Sequence, residues 1–148
     1  MVNIGLIGAG RIAGHHIRAI KRFKLFRIVA ICDLHTHKIE NHKIANKVNC
    51  YDHYEKMLKN EKKIDLVVIM TPSGMHFEHA KKIIIKYKKN IIIEKPICLK
   101  TSQVEELYML AKKNRVQIFP VFQNRYNKAI QFLKKKQTMN ALGKLRII

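Results

Sequence analysis

The stretch Asn3-Ile4-Gly5-Leu6-Ile7-Gly8-Ala9-Gly10-Arg11-Ile12-Ala13 decides how the rest of the chain is read. Asn3–Ile7 is a short β-branched run ended by glycines, which reads as a buried strand. Arg11–Phe23 carries Ile12, Ile17, Ala19 and Ile20 at broadly helical spacing. Between them stands a GxGxxA turn. Gly8 permits a tight reversal, Gly10 lets the backbone come close to a pyrophosphate, and Ala13 lets the helix pack tightly on the strand. A diphosphate would rest on the helix N-terminus, where unpaired N–H groups and the helix dipole favour anions. An ordinary glycine turn would meet the same local geometry, so the context must carry the argument.

Outward from this turn, strand-like and helix-like segments alternate. Strands are expected at Arg27–Cys32, Val48–Cys50, Asp65–Met70, Asn90–Ile93 and Gln117–Phe122. Helices are expected over Thr36–Asn46 with Ile39 and Ile44 as a thin apolar stripe, and over Tyr54–Leu58, His76–Lys86 and Lys128–Lys136. Ser102 and Glu105 match a capping box that would open a further helix to Lys113. Regular β-α alternation with near-continuous hydrophobicity in the strands predicts an α/β fold: a Rossmann-type, doubly wound parallel sheet with helices on both faces. Gly143–Ile148 reads as the first residues of another strand.

The chain has 148 residues, 47% hydrophobic and 27% charged, which fits one globular domain and excludes disorder. No apolar run approaches the ~18 residues of a membrane span, and no leader or transit peptide is read at the N-terminus. Cys32, Cys50 and Cys98 form no CxxC pair, which suits a reducing compartment and a cytoplasmic location. Thirty Lys and Arg stand against ten Asp and Glu, a formal charge of +20. Such a balance attracts nucleic acid or other polyanions. The excess is largely Lys, however, in a chain also crowded with Ile and Asn, the signature of AT-rich codons. The pairs Lys62-Lys63, Lys88-Lys89 and Lys112-Lys113 and the run Lys134–Lys136 fall where helices should end, and the dipole favours cations there. No specific nucleic-acid partner is expected.

Three further features belong to the strand ends. Asp33 closes the second strand at about the offset of a carboxylate that binds adenosine ribose hydroxyls, with helix capping before Thr36 as its competing role. A carboxylate there repels a 2′-phosphate, and Leu34 and His35 supply no arginine to receive one, so NAD is favoured over NADP. Thr71-Pro72-Ser73-Gly74-Met75-His76 and Glu94-Lys95-Pro96 leave the fourth and fifth strands at their carboxyl ends, where ligands of open α/β sheets bind. Pro96 holds Lys95 extended. The histidine pairs (His15 with His16, His35 with His37, His76 with His79) have no convincing third ligand, so no metal site is expected.

Taken together, GLIGAGRIA, Cys32-Asp33, TPSGMH and EKPICL resemble the glucose–fructose oxidoreductase and inositol dehydrogenase (Gfo/Idh/MocA) family across essentially the whole chain. The resemblance implies an NAD-dependent dehydrogenase whose catalytic residue is Lys95. It implies a cofactor site comprising Gly8, Gly10, Arg11, Ile12, Asp33, Thr71, Pro72, His76, Glu94, Lys95 and Gln123. It further implies that Glu94 lies on the nicotinamide side and that the peptide before Pro96 is cis. A finer resemblance lies in VFQNRYN followed by KAIQFLKK, which is similar to the UDP-N-acetylglucosamine (or uronic acid) 3-dehydrogenases of bacterial surface-polysaccharide synthesis. It points to a UDP-sugar substrate met by Lys95, Asn124, Arg125 and Tyr126. The same segment also reads as a helix start capped by Asn127.

Residues 1–125 are thus expected to form the NAD-binding domain, with 126–148 a helix and the opening of a second, substrate-binding domain. Family members continue through that second domain, which supplies another catalytic residue and the oligomer interface. This chain stops where it would begin, so NAD binding with little turnover, and a monomeric state, are expected. A non-catalytic NAD-binding module, or an inositol or aldose dehydrogenase of the same family, are the alternatives.

Overall fold

The computed structural model describes residues 1–42, 44, 47–138 and 143. Six strands lie among these residues: β1 (Val2–Ile7), β2 (Phe26–Cys32), β3 (Asn49–Tyr51), β4 (Leu66–Ile69), β5 (Asn90–Ile93) and β6 (Ile118–Pro120). They form a single sheet in the spatial order β3-β2-β1-β4-β5-β6, with every neighbouring pair parallel. This is the expected Rossmann-type doubly wound sheet. The order reverses between β1 and β4, and the carboxyl ends of strands at such a switch point open a crevice.

The helices are α1 (Ala13–Lys21), α2 (His37–Glu40), α3 (Tyr54–Asn60), α4 (His76–Lys82), α5 (Thr101–Asn114) and α6 (Lys128–Thr138). Alternate strand residues point to opposite faces. Ile4, Leu6, Ile31 and Val68 join a core with Ala13, Ile17 and Ile20 of α1 and Ile39 of α2. Ile7, Ala30, Val67, Ile69, Ile91 and Ile93 join the other core, closed by Met57 and Leu58 of α3, Ala80 of α4 and Leu107 and Ala111 of α5. Both faces of the central strands are therefore covered, which is why Leu66–Ile69 and residues 91–93 are apolar without a break rather than alternating. No helix among the described residues is long and apolar enough to cross a membrane.

Several local expectations are corrected. The helix expected over Thr36–Asn46 is α2, only four residues long, followed by a turn at Asn41 and His42; positions 43, 45 and 46 lie outside the described residues. The His42 ring nitrogen Nε2 lies 3.0 Å from the Ala9 carbonyl, which draws the chain back toward the glycine turn. Ile39 and Ile44 are both buried, as the apolar stripe requires. The Ser102–Glu105 capping box does not form. The helix opens earlier, on an extended Lys100 whose carbonyl takes the Gln103 and Val104 N–H groups, so Ser102 stands inside the first turn. The helix from His76 changes to a π-helical turn over Ile83–Tyr87, ended by Lys88 at φ +49°. β6 is shorter than expected, ending at Pro120; the next N–H, of Val121, donates to the Ile93 carbonyl at 3.0 Å, so the nitrogen of Pro120 faces the open side of this edge strand, where a missing N–H is tolerated. The strand expected from Gly143–Ile148 lies outside the described residues, Gly143 apart.

Candidate functional site

A cleft of about 760 Å³ opens at the carboxyl ends of β1, β2 and β4. Gly8, Gly10, Arg11, Ile12, Asp33, Thr71 and Pro72 all line it, so seven of the expected cofactor residues meet in one place. The two glycines serve different ends. Gly8 has φ +97°, and its N–H donates to the Cys32 carbonyl at 2.8 Å; a Cβ there would lie 2.8 Å from the Met70 carbonyl oxygen. It is bare because β4 passes too close and because its backbone is left-handed. A Cβ on Gly10 would meet no atom within 4 Å. Packing does not require that glycine, which leaves the backbone of the turn open to the cleft.

α1 rises from this turn with Ala13 fully buried against the sheet. No side chain caps its N-terminus and no acidic residue stands in its first turn. The positive end of the helix is left for an outside anion, with Arg11 and His15 on the same cleft. At the end of β2, Asp33 performs two tasks. Its Oδ2 accepts the Ala9 N–H at 2.8 Å, fixing the glycine turn, and its Oδ1 accepts the His35 N–H at 2.9 Å in a local turn. Each oxygen keeps lone-pair capacity toward the cleft, where a ribose diol would donate. The helix-capping role is not realised: α2 opens on Thr36 with no side-chain cap, and the Asp33 contact to His35 is a turn ahead of that helix. The bare Gly10, the uncapped helix and the Asp33 carboxylate on one crevice fit an adenine dinucleotide.

The remaining expected residues do not line this cleft. His76 is buried, with Nδ1 at 2.7 Å from the Pro96 carbonyl and Nε2 at 2.8 Å from the Thr71 carbonyl. Glu94 is 8% exposed and turns to α1, its Oε1 at 2.7 Å from His16 Nε2, while Oε2 accepts the Lys95 N–H at 3.2 Å. Lys95 itself is exposed at the carboxyl end of β5, and the Lys95–Pro96 peptide is cis. Gln123, Asn124, Arg125 and Tyr126 form an exposed 3₁₀ turn after β6. Within it the Arg125 guanidinium lies 5.1 Å from the centre of the Phe122 ring, and Tyr126 is 82% exposed. Asn127 caps α6 as its position allowed, its Oδ1 accepting the N–H of Ala129 at 2.9 Å.

The cleft also holds residues not expected at the cofactor site from the sequence, chiefly His35 and Lys38 beyond β2, and Asp52, His53 and Tyr54 beyond β3. The available signal was their place after a strand's carboxyl end; β3 is so short that its end was hard to locate. His79 joins them from α4, its Nδ1 3.2 Å from Thr71 Oγ1 and its ring 4.6 Å from that of Tyr54. Burial holds His79 below the usual histidine range, with help from His76, His53 and Lys82, so its ring favours the neutral form. Cys32 lines the floor, its thiol pushed up to about 12 by burial.

The chain's similarities agree with this geometry. The model of an oxidoreductase family with an NAD-binding Rossmann fold (GFO_IDH_MocA) matches residues 2–122. The chain is 29% identical over 148 residues to an uncharacterized oxidoreductase of Synechocystis sp., covering 99% of this chain and 39% of that protein. It is 26% identical over 147 residues to the inositol 2-dehydrogenase of Rhizobium meliloti, covering 99% of this chain and 44% of that protein. It superposes with a TM-score of 0.87 and 27% identity on the WlbA dehydrogenase from Bordetella pertussis, solved in complex with NADH and UDP-GlcNAcA. That match covers 97% of this chain and 43% of the other. The chain therefore spans well under half the length of these relatives.

Proposed function

As the chain belongs to the Gfo/Idh/MocA oxidoreductase family, with its NAD-binding Rossmann fold over residues 2–122, we propose that it is the cofactor-holding part of a dehydrogenase that oxidises a secondary alcohol of a sugar, a UDP-sugar foremost. The observation that carries this reading is the convergence of the unhindered Gly10, the uncapped start of α1 and the Asp33 carboxylate on one cleft. In this reading α1 and Arg11 hold the diphosphate, Asp33 takes the adenosine ribose hydroxyls, and Thr71 and Pro72 wall the far side. NAD, when bound, supplies the hydride acceptor. Lys95 takes the proton of the reacting hydroxyl, as a general base positioned at the strand end. Residues 1–125 make up the cofactor domain, while 126–148 lead toward the region that holds the sugar, where Asn124, Arg125 and Tyr126 contribute.

The UDP-sugar reading is supported by the likeness to WlbA, crystallised with UDP-GlcNAcA, and by an exposed Asn-Arg-Tyr turn suited to phosphate or carboxylate. A second reading, inositol as substrate, is favoured by the similarity to inositol 2-dehydrogenase. Titration of the chain with NADH and NADPH, followed by fluorescence and thermal stability, tests the core of the proposal. Saturable NADH binding with a clear preference over NADPH is expected. A well-folded chain that binds neither would leave only shared ancestry. Where sugar-dependent NADH formation is measured, Lys95→Ala should abolish it and keep NADH binding, and equal loss of both would remove the role given to Lys95.

A further inference from the structure

The passage from α1 into β2 reads Lys21-Arg22-Phe23-Lys24-Leu25-Phe26-Arg27, cations interleaved with large apolar side chains. Phe23 and Leu25 are both 59% exposed, and Met1, just before β1, is 77% exposed. Lys21, Arg22, Lys24 and Arg27 around them are exposed as well. These apolar side chains share one place. The Val2 N–H donates to the Leu25 carbonyl at 2.8 Å, which sets Met1 beside that loop, and the Phe26 N–H donates to the Phe23 carbonyl at 3.2 Å. The Phe23 ring meets Phe26 edge to face, with centroids 6.0 Å apart. Single exposed apolar residues are ordinary on a protein surface, whereas a gathered patch marks an interaction site.

Because neighbouring strands are all parallel, the loops that enter β2, β4 and β5 open on the same edge as Met1. They bring Arg22, Lys24, Lys62, Lys63, Lys88 and Lys89. The acids of these loops, Glu61 and Asp65, are already engaged. Glu61 accepts from the Asn49 amide and the Tyr51 hydroxyl, each at 2.6 Å, and Asp65 accepts the Asn3 N–H at 2.8 Å. Lys89 Nζ donates to the Lys62 carbonyl at 3.2 Å and so joins two of the loops. At about 4.8 Å per strand, the span from β2 to β5 spreads these cations along roughly 15 Å of edge. AT-rich codons raise the number of lysines throughout the chain, but they do not gather Phe23, Leu25 and Met1 at the edge where those lysines meet.

Apolar side chains set among cations complement one kind of surface, a bilayer with anionic headgroups. It takes Lys and Arg at its phosphates and Phe or Leu at the boundary with the acyl chains. A second copy of the chain carries the same charge of +20 and is repelled. A nucleic acid would use the cations and leave Leu25 and Met1 idle. We propose that this edge is a peripheral docking surface for an anionic membrane: Phe23, Leu25 and Met1 enter the headgroup boundary, and the loops before β2, β4 and β5 rest on the headgroups. The six residues of β1, at about 3.3 Å each, hold the cleft roughly 20 Å away at the opposite edge, open to water while the chain is docked.

The test is co-sedimentation of the 148-residue chain with phosphatidylcholine vesicles, with and without about 30 mol% phosphatidylglycerol, across a range of salt. Binding to the anionic vesicles alone is expected, weakening as salt rises. Because a strongly cationic chain adheres to many anionic surfaces, the deciding variant changes no charge. Phe23→Ser combined with Leu25→Ser should weaken vesicle binding about ten- to thirtyfold, in line with the apolar area withdrawn, and leave binding to duplex DNA and NADH unchanged. Both positions are exposed, so the unfolding midpoint should stay at that of wild type. The chain has no Trp, so Phe23→Trp supplies a single reporter. Its emission should move to the blue on anionic vesicles and be quenched by lipids brominated near the headgroup end of the acyl chain. Absence of binding to anionic vesicles overturns the proposal, as does wild-type affinity in the double serine variant or unmoved emission in the vesicle-bound tryptophan variant. Duplex DNA that strips the chain from vesicles at equal salt also overturns it and makes a nucleic acid the partner.

Discussion

Substituting Gly8 and Gly10 separately by alanine should divide stability from binding. At Gly8 the new Cβ would sit 2.8 Å from the Met70 carbonyl oxygen and 2.9 Å from its carbon, on a backbone with φ +97°. Holding a non-glycine residue at positive φ costs about 1–2 kcal/mol. The opposing atoms are main chain, fixed by the Met70 N–H donating to Ile7 at 2.8 Å, so relief requires the ends of β1 and β4 to part. Overpacking of that kind costs roughly 1–3 kcal/mol more. Gly8→Ala should therefore lose about 2–5 kcal/mol in all, a large share of the 5–15 kcal/mol that holds a typical domain together. With a urea m-value of about 1.5 kcal/mol/M, the unfolding midpoint should fall by roughly 1–3 M. Gly10→Ala meets nothing within 4 Å, so its midpoint should move by less than about 0.5 M while NADH binding is lost or severely weakened. The assay is paired urea denaturation and NADH titration on the two variants. A Gly8→Ala midpoint within error of wild type, or a Gly10→Ala chain with undiminished NADH affinity, would refute the division of labour assigned to the two glycines.

Asp33→Asn keeps a side-chain acceptor for one backbone N–H but discards the charge on the cleft, so NADH affinity should fall about tenfold, in line with a lost charge-assisted bond, and the preference over NADPH should narrow. Comparative titration with both cofactors checks this. Iodoacetamide at pH 8 should label Cys50 and Cys98 well before Cys32, because the thiolate is the nucleophile and burial pushes the Cys32 thiol up to about 12; peptide mass spectrometry with and without urea separates them. Glu55 joins α3 to α4 through Lys82 at 2.6 Å and to the π-helical turn through Lys86 at 3.2 Å, and these bonds hold its carboxyl down to about 2. A carboxylate lowered in the folded state contributes stability above its ordinary range and loses it as pH falls toward the folded value. Glu55→Gln should therefore narrow the gap to wild type as pH drops from about 4.5 toward 2, the contribution being modest for a solvent-screened pair; thermal melts across that window measure it.

The parts of the fold that were legible in the sequence are those in which one residue type answers one physical demand. Unbroken runs such as Leu66–Ile69 and Asn90–Ile93 announced strands covered on both faces, and the glycine turn announced the order of strand, anion site and helix. The capping box failed because Ser102 and Glu105 satisfy a spacing rule wherever they fall, whereas the true start depended on Lys100 being extended. The π-helical turn at Ile83–Tyr87 has the same apolar composition as a regular helix and left no signal. In the site, Gly8, Gly10 and Asp33 were readable because each answers to the local backbone. The enclosure of His76 and the turning of Glu94 toward His16 depend on residues 20 and 78 positions away in sequence, a separation that no local pattern records.

The central position of β1 also governs how the chain must be assembled. β1 pairs on one side with β2 but on the other with β4, where the Asn3 N–H donates to Asp65 Oδ2 at 2.8 Å across 62 residues. Closing a loop of that length costs about 3.7 kcal/mol of chain entropy before any contact repays it. During synthesis at about 5–20 residues per second, the first strand made waits roughly 3–12 s for its inner neighbour. Throughout that interval Ile4, Leu6 and Ile7, among the most deeply buried residues of the finished protein, have only half of their partners. The nascent chain is therefore most exposed to mispairing at the same segment that later carries the glycine turn, and most variants that slow the arrival of β4 should reduce yield before they reduce stability.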